Sequence, residues 1–193
     1  MWNIEGALAL ILLLVGTPST QSVRIDVKHG TSRELKTKAE LEQILATYDL
    51  SKYTFTSEVV IEEGAIAHSF PVITLNVRFL NSDDELLSSY LHEQLHWHLQ
   101  AHRNQTNAAI PQLRRLYPKV PVGPPEGAET EYSTYGHLVD CYLEIHADRQ
   151  LIGPERTAAV IRNKGHYTWI YSTVVRDESR IAAIVKAEQL NID

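Results

Sequence analysis

The sequence predicts an α+β fold: a small, mostly antiparallel sheet packed on one long helix, followed by a mainly helical C-terminal half. Three observations predict it. Strand-like alternation is confined to the first 80 residues, the segment from Asp83 to Ala101 holds neither Gly nor Pro and repeats Leu87, Leu91, Leu95 and Leu99 at helical spacing, and helical periodicity returns from about Glu129. With 193 residues, 44% of them hydrophobic, the chain can bury one sizeable core.

Taken in order, Ala7 to Val15 is an unbroken apolar run ending at Gly16-Thr17-Pro18-Ser19, so residues 1–22 read as a signal peptide or N-terminal anchor. That reading places the protein in a secreted or extracytoplasmic (periplasmic) location, or on a membrane through its N-terminus. Residues 23–193 then form one domain. Ser22 to Lys28 alternates as a short strand, Thr37-x-x-Glu40 reads as a capping box opening a helix to about Tyr48, and Tyr53 to Glu62 reads as a strand. Glu62-Glu63-Gly64 has the composition of a hairpin-like turn. Pro71 to Leu80 sets Ile73, Leu75, Val77 and Phe79 against Thr74, Asn76 and Arg78, a strand with one buried and one wet face running into the long helix. Asn81-Ser82-Asp83-Asp84 supplies N-cap candidates and first-turn acids for that helix. Residues 118–127, with Pro118, Pro121, Pro124 and Pro125, form a connector between residues 23–117 and the helical half at 128–193. A helix from about Glu129 to Leu151 stops at Gly153-Pro154, and two further helical stretches follow.

A formal charge of −6 with no basic run argues against nucleic-acid binding. Cys141, the one cysteine, has no internal disulfide partner and reads as a small buried side chain.

The chemistry is concentrated in His92-Glu93-Gln94-Leu95-His96. On a helix, positions 92 and 96 lie one above the other and can hold a single metal ion, while Glu93 points about 100° away and can reach a metal-bound water. Zinc lowers the pKa of such a water, and a carboxylate beside it serves as general base. The motif reads as metal-assisted peptide hydrolysis. A third ligand must come from elsewhere. His102 is one candidate, but with Leu99 in place of a helix-breaking Gly the helix is expected to continue, carrying His102 about 9–15 Å along the axis and off the ligand face. Glu144 is the other, on a polar stripe made by His137, Asp140, Glu144 and Asp148 at spacings of 3, 4 and 4. His137, Asp140 and His146 stand beside it as rivals. For stabilising an oxyanion, His166 and Tyr167 in the turn Gly165-His166-Tyr167 are candidates, with Tyr132 and Tyr135 as alternatives.

H-E-x-x-H followed on a later helix by E-x-x-x-D resembles the gluzincin, thermolysin-like zinc metallopeptidases, here through His92, Glu93 and His96 and then Glu144 and Asp148. Leu143 stands where that family often has Asn. The resemblance implies a zincin-like fold, Zn2+ held by His92, His96 and Glu144, Glu93 as general base, and Asp148 as an outer-shell carboxylate fixing the His92 tautomer. It also suggests that the strand entering the metal helix borders the cleft, where a substrate backbone could pair. The expected function is zinc-dependent hydrolysis of peptide bonds in a peptide or protein substrate. The alternatives are a catalytically inactive zinc-binding or interaction protein, for which Glu93 would be dispensable, and a non-peptide amide hydrolase using the same residues.

Overall fold

Residues Ser22 to Lys28 do form a strand, β1 (Arg24–Val27), and the helix after it, α1 (Ser32–Thr47), begins five residues before the expected box. Thr31 is the N-cap: its hydroxyl accepts from the Glu34 amide at 3.2 Å, and Glu34 reaches back to the Thr31 amide. Glu34 is buried because its carboxylate also accepts the amides of His29 and Glu63. Thr37 therefore lies inside the helix, and Glu40 caps a different one, accepting from the amides of Asn81 and Ser82 ahead of α2. The computed structural model describes residues 22–192; the signal-peptide or anchor reading rests on the apolar run at residues 7–15, outside that range. No helix among the described residues is long and apolar enough to cross a membrane.

A 3-10 turn (Ser51–Tyr53) precedes β2 (Glu58–Ile61), so the expected strand at 53–62 is shorter and starts later. β3 spans Ile73–Leu75. The sheet corrects the expectation of antiparallel pairing: its order is β1-β2-β3, and both pairs are parallel, Val27 opposite Ile61 and Ile61 opposite Leu75. The reason lies in the connections. α1 is the helical crossover that a parallel β1–β2 pair needs. Gly64, at φ +88°, makes the expected turn, yet the chain does not fold straight back. It runs out as a strap, residues 65–70, whose His68 makes an antiparallel bridge to Thr74, and then re-enters alongside β2. Covered in this way, all three β3 residues are buried, Thr74 included, and the alternation that predicted a strand to Leu80 ends after Leu75.

α2 (Asp83–Ala101) matches the expected helix end to end. Its cap differs: Ser82 gives its hydroxyl to Glu85 at 2.6 Å and caps no backbone amide, while the carboxylate of Glu40 accepts the amides of Asn81 and Ser82 just ahead of the helix. The chain turns at His102 into α3 (Arg103–Leu116), so the helix does not continue beyond 102 as expected. Residues 118–127 form the irregular connector. α4 (Glu131–Asn163) is interrupted at Gly153, φ +82°, where Pro154 restarts the helix; α5 (Thr168–Arg176) and α6 (Glu178–Ala187) follow, giving three helical stretches after the break rather than two.

Two apolar cores meet at the α2–α4 contact. Leu86, Leu87, Tyr90 and Leu91 of α2 join the sheet, α1 and the distal part of α4, whereas Leu95 and Leu99 join α3, α5, α6 and the first turns of α4. A residue between Leu91 and Leu95 that faces α4 is held at the seam between the cores. His92 stands there.

Candidate metal centre

α2 and α4 run antiparallel across this seam: Ser88 meets Glu144, His92 meets Asp140, and His96 meets His137. The polar stripe read from the sequence thus turns its upper part onto the His92–His96 face. His92, His96 and His137 form a triangle with ring centres 4.9, 5.0 and 5.6 Å apart. Imidazoles bound through one nitrogen at about 2.1 Å to a tetrahedral cation have ring centres about 5 Å apart. Each of the three offers a nitrogen within 4.8 Å of the others, so the group could hold a metal ion; a second set, His92, Asp140, Cys141 and Glu144, meets the same distance.

His137 donates Nδ1–H to the carbonyl of Ser133 at 2.7 Å, which leaves the lone pair on Nε2. Burial, and then the nearby charge of His92 and His96, push its pKa down to about 4, so it is neutral at pH 7. Behind His92 two carboxylates converge on Nδ1, Glu144 Oε2 at 2.9 Å and Asp140 Oδ2 at 2.8 Å. Burial alone would lower the His92 pKa, but the charge of Asp140 beside it, with the hydrogen bond to Glu144, lifts it well above the ordinary value. The N–H is aligned on Glu144, and neither oxygen of the fully buried Asp140 completes a hydrogen bond. Its pKa is nevertheless lowered, because the imidazoles around it outweigh the burial. Its charge is matched by the His92 imidazole 2.8 Å away, and a dication bound among these imidazoles would supply further positive charge beside it.

Glu144, the expected third ligand, is placed against His92 but is occupied on every side. Oε1 accepts from Ser88 at 2.6 Å and Lys164 at 2.7 Å; Oε2 accepts from His92 and from Tyr171 at 2.7 Å. Burial would raise its pKa, but the buried Lys164 ammonium and His92 drive it well below the carboxylate range. Asp148, expected behind His92, lies one turn further on, with Ser88, Lys164 and Glu144 as neighbours. Burial and the Glu144 charge push it up to about 8. One lysine serves two acids, and Glu144 has it.

Glu93 is buried, and Ser69 of the strap donates to its Oε2 at 2.5 Å. Trp97 holds the strap in place, giving its indole N–H to the Ser69 carbonyl at 2.9 Å. His166 and Tyr167 line a cavity of about 340 Å³ together with His92 and Glu93. The Tyr167 ring lies 4.3 Å from His137 and 6.0 Å from His92. Its left-handed backbone (φ 54°, ψ 31°) is strained for a non-Gly residue, a feature that concentrates at functional sites. Burial keeps the Tyr167 phenol protonated, with its pKa raised, and burial plus the Lys164 charge push His166 down to about 4.

The remaining candidates lie elsewhere. His102 packs against His98 at 4.4 Å, His146 stacks on Tyr142 and meets Gln150, and Tyr135 gives its hydroxyl to the Tyr117 carbonyl inside the helical core. Tyr132 borders a groove on the far side of the cluster. Cys141 is buried with its thiol pushed up to about 11, which excludes a thiolate at neutral pH. Ser69, Lys164 and Tyr171 were missed from sequence. Ser69 sits in an irregular strap and Tyr171 in an apolar helix, and only Lys164, next to Gly165-His166, had a neighbour that drew attention. Compared with protein-family models, curated proteins and solved structures, the chain matches none.

Proposed function

We propose that the protein is a zinc-dependent peptidase in which His92, His96 and His137 hold the metal and Glu93 is the general base. The observation that carries this reading is the imidazole triangle with the carboxylate of Glu93 beside it at the wall of a cavity. His137, one of the rivals in the sequence, takes the third position in place of Glu144, whose oxygens are already engaged by Ser88, Lys164, His92 and Tyr171. Glu144 and Asp140 then act from behind, fixing His92 with its Nδ1 protonated and raising its basicity.

A bound zinc ion would supply Lewis acidity, polarising a substrate carbonyl and making water acidic. The chain's own groups do the rest. Ser69 holds Glu93 Oε2, so Oε1 is the oxygen that takes a proton from attacking water and returns it to the leaving amine. The protonated phenol of Tyr167 and the neutral imidazole of His166 are donors for charge that develops on the carbonyl oxygen. Lys164 is spent on Glu144 and takes no part in proton transfer. Binding metal without catalysis would leave the Ser69–Glu93 pair without a role. A peptide or protein substrate suits a chain of net charge −6, and the reading includes export on the strength of the apolar run at 7–15.

The test is elemental analysis of the purified full chain with peptide-library cleavage alongside. One zinc per chain, kept in Glu93→Gln while cleavage is lost, is the expected result. A wild-type chain without metal, or Glu93→Gln with full activity, would refute it.

A further inference from the structure

The imidazole triangle separates two cavities. The one of about 340 Å³ reaches His92 and Glu93; another, of about 380 Å³, reaches His96 and His137. Two walls run from the first to the second in the same sense. On one side the strap gives Ile66 and Ala67 to the first cavity and Phe70 to the second; on the other, Gly127 to Glu129 line the first and Tyr132, Ser133, Gly136 and His137 the second. The two spaces are therefore successive parts of one groove with the metal cluster midway along its floor.

The strap is held rigidly for this position. His68 spends both backbone groups on Thr74, Trp97 and Glu93 grip Ser69, and Phe70 packs its ring 4.8 Å from Trp97. The opposite wall is set by Gly127, where any Cβ would fall 2.2 Å from the Pro121 carbonyl oxygen. At about 3.3 Å per residue, the five positions from Ile66 to Phe70 match a substrate stretch of about five extended residues. A peptidase that trims chain ends needs substrate space mainly on one side of its site; here cavities of similar size lie on both sides of the cluster. Ile66, Phe70 and Tyr132 leave apolar surface exposed along the groove, at 87%, 46% and 54%.

The ends differ in charge. Beyond His166, the first cavity continues into a recess of about 80 Å³, and Arg78 borders both. The other cation there, Lys164, is bound to Glu144, and the acid in the recess, Glu85, accepts from Ser82. Glu129 borders the cavity from the far wall. Arg78 forms no ion pair among the described residues; its guanidinium lies over the Phe79 ring at 5.8 Å, and its backbone amide is fixed by Asn76. It is a charged fork without a carboxylate, at the border of the groove's end.

We propose that the substrate is an internal segment of polypeptide, lying extended across both cavities, with an acidic side chain seated against Arg78 on the Glu93 side of the cleaved bond. This rests on the peptidase reading. The test uses the zinc-loaded full chain and a library of peptides in N-acetylated, C-amidated form and in unblocked form, with products identified by mass spectrometry. Internal cleavage with Asp or Glu enriched at one fixed position from the cut is expected, and Arg78→Glu should move that enrichment to Lys and Arg. In Glu93→Gln, a blocked peptide with Glu at that position should bind about tenfold more weakly or worse when Arg78→Ala is added, while its Gln counterpart is unchanged. Removal of residues only from free ends, or cleavage without acidic preference, would overturn the inference and leave the peptidase reading standing. Zinc bound at full occupancy with no peptide, blocked or free, either cut or held by Glu93→Gln would overturn both.

Discussion

Removing His137 should cost about tenfold more zinc affinity than altering Glu144. Apparent binding energies of about 10–16 kcal/mol for four-ligand zinc sites amount to about 2.5–4 kcal/mol for each ligand. At about 1.4 kcal/mol per tenfold, His137→Ala should weaken zinc by about 10²–10³-fold. No proton has to be displaced from His137 at pH 7, since its pKa lies near 4, so the whole loss is coordination. Glu144→Gln keeps the shape and touches the metal only through His92 Nδ1, where outer-shell changes cost about 10–100-fold. Its larger effect is on the fold, because it leaves the buried Lys164 ammonium without its counter-charge, a loss of about 3–5 kcal/mol. Adding Lys164→Met to Glu144→Gln removes that orphan and should restore much of the stability, with zinc affinity still within about 100-fold of wild type. Competition with a chromophoric chelator measures affinity, and circular dichroism verifies the fold. Wild-type affinity in His137→Ala, with zinc abolished in the folded double variant, would sink the imidazole triangle and restore Glu144 as the ligand.

Four further outcomes can be checked independently. Ser69→Ala deprives Glu93 of a charge-assisted hydrogen bond worth about 1.5–3 kcal/mol, so kcat should fall about 10–100-fold in steady-state assays with zinc content unchanged. Asp148, raised to about 8, stays protonated in the folded chain over a range where the unfolded chain has lost the proton. Its contribution is therefore complete below about pH 4 and is lost as pH rises towards 8, so urea titrations should show Asp148→Asn gaining stability over wild type between pH 5 and 8 and converging with it near pH 4. His166 has the opposite sign. Held near 4, it binds a proton less readily than in the unfolded chain, and stability is lost as pH falls from about 6.5 towards 4; His166→Asn should flatten that limb. Thr31→Ala should cost about 0.5–2 kcal/mol in urea denaturation as the cap of α1, and no loss would refute the placement of the box at Thr31 and Glu34.

Where a signal is local, the sequence was legible. The bounds of α2 follow from an uninterrupted run with a leucine every fourth position, and all four leucines are buried. The break at Gly153-Pro154 needs only the special backbone of those two residues. The stripe at 137, 140, 144 and 148 was legible as a stripe. Its phase against α2 was not, because the spacing within one helix says nothing of where a second helix crosses it. The tertiary crossing sets His137 level with His96 and Asp140 and Glu144 behind His92, so that Glu144 stands where the family resemblance implied Asp148.

The sheet shows the same division. Alternation at 22–28 and 71–80 and the stretch at 53–62 announce strands, but pairing direction depends on the path between them, and Gly64 starts either a hairpin or an excursion. The excursion won because His68 and Thr74 satisfy each other and Trp97 anchors Ser69, contacts between residues of which no short window contains more than a part. By itself, then, the sequence determined the elements whose cause is periodicity, capping or a backbone constraint, together with the two imidazoles and the carboxylate that one helix turn places together. The third imidazole, the serine that holds Glu93, the lysine that occupies Glu144 and the groove on both sides of the cluster were decided only when α2, α4 and the strap packed against one another. Their energies come from burial and from charges brought within about 3 Å, and neither exists before the chain has closed on itself.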